Sequence, residues 1–146
     1  MLFRSLLRTG WSSRWPDRAA YLGTDLAGRE AVTELHFPGL APAAARWLAE
    51  ERSVDAVGID TPSMDHGDSK ELEGHRVLYD GGVAILENLD LSRVPPGDYE
   101  LIALPLRIVG GDSSPVSAIW IARSSSTIRM RAFTTALPPR AVAWAG

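Results

Sequence analysis

The sequence predicts an α/β domain, on three observations. A helix-forming segment at residues 43–51 leads through a short turn into an apolar run at 54–59 that ends on Asp60. The same order recurs when a helix-spaced segment after Ser69 meets Gly81-Gly82 and passes into a second apolar run, 83–86, ending at Glu87. Helices alternating with short apolar strands are the pattern of a sheet with helices on its faces. Third, 146 residues with 45% hydrophobic and 23% charged side chains suffice for one core of ordinary composition.

Each element has a local reason. Residues 2–8 read as a strand. Residues 9–28, rich in Gly, Ser, Trp and Asp, read as a long loop, and loops of that length are usually functional or disordered. Phe37-Pro38-Gly39 is a turn. Pro42 suits a first helical turn, where its missing N–H is not needed. The helix that follows carries Ala44, Trp47 and Leu48 on one face, so Trp47 is expected in the core. After the strand at 54–59, residues 61–67 form a polar loop. Ser69 is the expected N-cap of the second helix, with Leu72, Arg76 and Tyr79 at helical spacing and His75 on the neighbouring face. Gly81-Gly82 ends it. Pro95-Pro96-Gly97-Asp98 is a turn. Residues 99–108 form a long strand in which Pro105 requires an edge or bulge position. Residues 110–114 are a tight loop and 116–122 the last strand. From 123 to 146 neither a helical nor a strand period persists, so this stretch is expected to be a poorly ordered tail beside a domain at 1–122.

The formal net charge of -3 argues against nucleic acid and anionic membranes as partners. No apolar run approaches the roughly 18 residues of a membrane span. Arg4 and Arg8 break the apolar start, which therefore lacks the core of a signal peptide. The absence of cysteine excludes disulfides and thiolate metal sites and fits a cytoplasmic location.

Any transition-metal site must then use His36, His66 or His75 with carboxylates. His75 lies in a predicted helix and Glu87 at the exit of the strand after it. A helix turning directly into that strand can bring both side chains to one sheet edge, and imidazole with carboxylate is an ordinary donor set for zinc or manganese. Taken alone, the pair reads first as a surface histidine and a solvated glutamate, and two donors fall short of the three that catalytic zinc typically takes. Asp60, Ser63, Asp65 and His66 form a second concentration in a loop after a strand. There, Asp65 and His66 could supply ligands or a general base, while the plainer reading is that Asp60, Thr61 and Ser63 hydrogen-bond the loop backbone. Trp11 and Trp15, in the long loop, could meet an aromatic ligand or another subunit. No nucleophile-elbow serine, phosphate-binding glycine loop or H-E-x-x-H is present.

Read together, several strings resemble the cyclase family of metal-dependent hydrolases. They run in order from Leu7-Arg8-Thr9-Gly10-Trp11 through His36-Phe37-Pro38-Gly39-Leu40 to Gly58-Ile59-Asp60-Thr61-Pro62-Ser63-Met64-Asp65. Asp68-Ser69-Lys70, His75-Arg76, Leu86-Glu87-Asn88-Leu89 and the stretch from Pro96 to Leu106 follow, and the match ends near Ser114-Pro115-Val116. The stretch from Pro96 to Leu106 and Asp68-Ser69-Lys70 look like the kynurenine formamidases of this family, while Asp65-His66-Gly67 leans towards its isatin hydrolases.

The resemblance implies a swivelling β/β/α-type domain, commonly a homodimer, that hydrolyses a small aromatic amide with divalent metal, zinc foremost and manganese second. The reaction it implies is conversion of N-formylkynurenine to kynurenine and formate in tryptophan catabolism. It places His75 and Glu87 as ligands of the second metal of a two-metal site, and Asp60 and Ser63 in the loop beneath. The family's H-x-G-T-H-x-D-x-P motif, which supplies the remaining ligands and a catalytic histidine, has no counterpart in this sequence, and Ser117 stands where the family usually has arginine. The expectation is therefore a domain truncated at its N-terminus and inactive alone. Three alternatives stay open: a fragment of an arylformamidase, half of a split enzyme completed by an N-terminal chain, or a non-catalytic binding module.

Overall fold

The computed structural model describes residues 4–111, 113–123 and 128–132. The chain divides into two compact units, Met1–Arg93 and Val94–Gly146.

The first unit is built on a parallel sheet of β1 (Arg4–Leu7), β2 (Ala56–Ile59) and β3 (Ala84–Leu86), in that spatial order. β2 is central and buried along its whole length, as its unbroken apolar sequence requires. Its two faces differ by alternation. Val57 and Ile59 enter a core with Leu40, Ala45, Leu48, Val54, Met64, Leu78 and Val83. On the opposite face, a Cβ on Gly58 would stand 2.7 Å from both Leu6 and Leu89, so the strand carries no side chain there. Helices α2 (Pro42–Arg46) and α3 (Glu73–Asp80) precede β2 and β3. This is the expected α/β order with a parallel sheet.

Four local expectations are overturned. Residues 9–28 are not simply a loop, because they hold a 3₁₀ turn at Trp11–Arg14 and helix α1 at Arg18–Leu22. The Asp17 carboxylate accepts the Ala20 N–H and caps α1, while Gly23, at φ 85°, ends it. Trp47 is not in the core but 50% exposed. The helix widens into a π turn at Trp47–Glu51, Leu48 takes the buried position, and the Arg52 guanidinium lies 5.1 Å from the Trp47 ring centroid. Ser69 does not cap α3; the helix starts at Glu73 behind Leu72, which adopts a left-handed conformation at φ 47°. Finally, Ile128–Ala132, assigned from sequence to the tail, forms strand β6. The expectations for residues 124–127 and 133–146 lie outside the described residues.

The second unit is an antiparallel sheet of β4 (Tyr99–Pro105), β5 (Val116–Arg123) and β6. Tyr99 closes the preceding turn by donating its hydroxyl to the Pro95 carbonyl at 2.7 Å. β4 is an edge strand, and Pro105 takes its last paired position, opposite Val116, so the missing N–H is tolerated. The strand is shorter than its sequence suggests, and Gly110 at φ 75° helps turn the loop that follows.

Candidate functional site

The site lies where the three parallel strands end. Thr9 and Gly10 follow β1, Asp60 follows β2, and Glu87 with Asn88 follows β3. Strand ends on one side of a parallel sheet converge loops from separate parts of the chain, which is why such edges collect functional groups.

Asp60 is fully buried. Its Oδ1 accepts the Thr9 N–H at 2.8 Å and the Thr9 hydroxyl at 2.7 Å, and its Oδ2 accepts the Gly10 N–H at 2.8 Å. It therefore ties the loop after β1 to the end of β2. The Thr61 hydroxyl donates to the Ser63 carbonyl at 2.8 Å, so Ser63 contributes backbone to the loop.

His75 and Glu87 are brought together, with Nε2 of the imidazole 3.0 Å from Oε1 of the carboxylate. The Asp65 carboxylate lies against the other ring nitrogen, Oδ2 to Nδ1 at 2.6 Å. Asp65 also accepts the Gly74 N–H at 2.7 Å and the His75 N–H at 3.1 Å. These are first-turn donors of α3 that no intrahelical carbonyl can satisfy, so Asp65 caps the helix from across the loop. A Cβ on Gly74 would stand 2.8 Å from Asp65 Oδ1, and glycine makes that approach possible. Glu87 Oε1 further accepts the Met64 N–H at 2.5 Å.

An imidazole between two carboxylates holds its proton. The His75 pKa is raised to about 9, first by the hydrogen bond to Glu87 and also by Asp65, with burial opposing. Beside this pair, Tyr21 donates its hydroxyl to Asn88 Oδ1 at 3.1 Å. Burial, then the Asp60 and Glu87 carboxylates, push the Tyr21 hydroxyl above its usual range, so it remains a donor. Asn88 sits at φ 56° and binds back to the loop through its N–H on the Thr61 carbonyl at 2.9 Å.

The other candidates separate. His66 pairs with Asp68 at 2.6 Å on an exposed surface, and the hydrogen bond from His66 lowers the Asp68 pKa. Trp11 donates its indole N–H to the Tyr21 carbonyl at 2.8 Å, and the Arg14 guanidinium lies 3.8 Å from its ring centroid. Sequence reasoning missed Tyr21, which lay in a presumed loop, and the structural use of Gly74. Asn88 was visible only as part of a string shared with a family.

Among the described residues, no group of three histidine or acidic side chains is placed to hold one metal ion. The pair His75–Glu87 has the right donor chemistry for a divalent ion, and the carboxylate behind the imidazole is the usual support of a ligating histidine. It fits as part of a metal site, two donors short of a complete tetrahedral set. Among the described residues, no helix is long and apolar enough to cross a membrane.

Residues 5–66 match the family model described as "Cyclase: Putative cyclase". The chain is 43% identical over 114 residues to kynurenine formamidase from Bordetella avium (strain 197N), covering 71% of this chain and 54% of that protein. The chain thus spans about half the length of this curated relative. Among solved structures, isatin hydrolase A from Ralstonia solanacearum matches with a TM-score of 0.66 and 32% identity, over 79% of this chain and 43% of that one. A potential metal-dependent hydrolase with cyclase activity matches with a TM-score of 0.60 and 30% identity, over 82% and 50%. The residues that carry the resemblance, the parallel sheet and these matches together make the chain similar to hydrolases of the cyclase family.

Proposed function

We propose that this chain is part of a metal-dependent amide hydrolase of the kynurenine formamidase type, which splits N-formylkynurenine into formate and kynurenine. The contact of His75 Nε2 with Glu87 Oε1 at 3.0 Å, backed by Asp65, is the observation that carries this reading. Identity of 43% to a kynurenine formamidase supports the substrate class.

His75 and Glu87 would hold the divalent ion, zinc or manganese, and further donors would be needed to complete the site. When bound, such an ion supplies a water nucleophile near neutral pH and stabilises the oxyanion that develops on the formyl carbonyl. Water adds to that carbonyl, the C–N bond breaks, and the aniline nitrogen takes a proton. Within this chain, Asp65 orients His75, and the Met64 N–H holds the Glu87 carboxylate. Asp60 fixes the Thr9–Gly10 turn next to it, and Trp11, just after that turn, is the aromatic side chain proposed to meet the substrate ring. The family domain in this reading covers residues 1–122 and is of the swivelling β/β/α type. It works in the cytoplasm as a homodimer or with a complementing N-terminal chain, and the chain alone does not turn over.

The test is complementation. The purified chain, zinc or manganese, and the N-terminal half of the Bordetella avium relative are mixed, and kynurenine release is followed. Activity that needs both parts and disappears with His75→Ala is expected. Metal binding that neither His75→Ala nor Glu87→Ala weakens would remove the basis of the reading. A second reading, isatin hydrolysis, is favoured by the match to an isatin hydrolase at a TM-score of 0.66, and turnover of isatin in place of N-formylkynurenine would select it.

A further inference from the structure

We propose that Arg14 is a specificity-determining residue of this site, its guanidinium binding a carboxylate carried on the arm of an aromatic amide substrate. The proposal rests on the reading of this sheet edge as the place where such an amide is split, and it adds what recognises the far end of that substrate.

The turn at Trp11–Arg14 follows directly on the exit of β1 and is fixed to the sheet. Asp60, at the end of β2, accepts the Thr9 and Gly10 N–H groups, and the Thr9 hydroxyl oxygen accepts the Trp11 N–H at 3.1 Å. In a 3₁₀ turn, residues three apart stand one above the other. Arg14 thus comes over Trp11, with its guanidinium carbon 3.8 Å from the ring centroid. Trp11 is itself held by its indole N–H on the Tyr21 carbonyl. Guanidinium groups in this position pack on the ring and keep their N–H edge free for a carboxylate, which that edge binds two donors at a time. The two arginines of this segment differ in how they use that edge. Arg18 spends its donors on the Thr24 and Leu26 carbonyls, at 3.3 and 2.9 Å, and so closes its own loop. Arg14 is exposed, and among the described residues its guanidinium is paired with no carboxylate and no carbonyl.

The spacing also fits. β1 and β3 lie on either side of β2, so the exits that carry the Arg14 turn and Glu87 are about 10 Å apart at the usual strand separation. In N-formylkynurenine an ortho-substituted ring and a short arm separate the formyl carbon from the carboxylate carbon, roughly 7 Å at full extension. The reach of the arginine side chain covers the remainder. Isatin carries no carboxylate, so Arg14 also separates the two substrate classes considered above.

Ligand-observed NMR titration of the full-length chain with kynurenine and with kynurenine amide tests this, because the amide differs only in masking the carboxylate. The wild type should bind kynurenine about 10-fold more tightly than the amide. Arg14→Gln should abolish that preference and leave binding of the amide unchanged, which also shows that the variant is folded. Arg14→Lys keeps the charge but loses the paired donors, and should retain only part of the preference. Equal binding of both ligands by the wild type, binding of neither, or a preference that survives Arg14→Gln would overturn the proposal. The hydrolase reading fails on a different result. In the mixture with the N-terminal half, turnover of N-formylkynurenine with a KM unchanged by Arg14→Gln would overturn the role of Arg14 and leave that reading standing. A preference that depends on Arg14 without any turnover supports the role of Arg14 and counts against the reading.

Discussion

His75 is held by two carboxylates, and this gives the metal-free chain a defined pH dependence. Its pKa is raised from 6.5 to about 9, so the folded state binds its proton more tightly than the unfolded chain. The stabilisation is complete below about pH 6.5 and is lost as pH rises towards about 9. With chelator present, the urea midpoint should fall across that window, by on the order of 3 kcal/mol in stability at most. His75→Gln should flatten the fall, and a midpoint that rises between pH 6.5 and 9 would contradict the sign. Zinc and the proton compete for the same ring, so zinc affinity should increase over the same range. Asp60 makes a separate prediction. It satisfies three donors of Thr9 and Gly10 from a fully buried position. Asp60→Ala should cost about 3 kcal/mol, read by denaturant melting, because three hydrogen bonds to one carboxylate are lost.

At the scale of elements, the site depends on segments that approach closer than side chains allow. The 61–67 loop packs against residues 35–40, with Leu40 N–H on the Met64 carbonyl at 2.7 Å and Gly67 N–H on the Phe37 carbonyl at 3.0 Å. A Cβ on Gly39 would stand 2.3 Å from the His66 nitrogen and 2.4 Å from the Asp65 carbonyl carbon. Both are backbone atoms, so Gly39→Ala must move the loop that carries Asp65. A loss of roughly 3 kcal/mol or more is expected in thermal melts, together with weaker zinc binding. Helix α1 acts more gently. Tyr21→Phe removes one hydroxyl bond to Asn88 and should cost about 1 kcal/mol, with the secondary structure unchanged by circular dichroism. α3 shows why Ser69 misled. A serine before an apolar-periodic run is a fair capping signal, but the Asp65 carboxylate reaches the Gly74 and His75 N–H groups first.

At the scale of the whole molecule, the exposed apolar residues of the second unit set its behaviour in solution. Ile102, Leu104, Leu106, Ile108 and Val109 are all exposed, and Ile102 and Leu104 alternate along β4, so these two share one face. Among the described residues β4 also lies at the edge of its sheet. The isolated chain should self-associate at micromolar concentration, and Leu104→Lys with Leu106→Lys should shift sedimentation towards monomer. A monodisperse wild-type monomer that melts cooperatively would refute this. Such patches mark contact surfaces more often than free ones.

The alternation of helix and apolar run, the stops at Gly81-Gly82 and the exits at Asp60 and Glu87 were legible in the sequence. They follow from local periodicity and from backbone preferences that neighbouring residues alone decide. The approach of His75 to Glu87 could be expected for the same reason, since one helix and one turn separate them. Only the tertiary structure decided that Asp65 caps α3 and takes Nδ1, that Tyr21 reaches Asn88, and that Trp47 stays exposed. Each of those outcomes depends on where a distant loop or a change of helical register puts a side chain, and no local pattern encodes that distance.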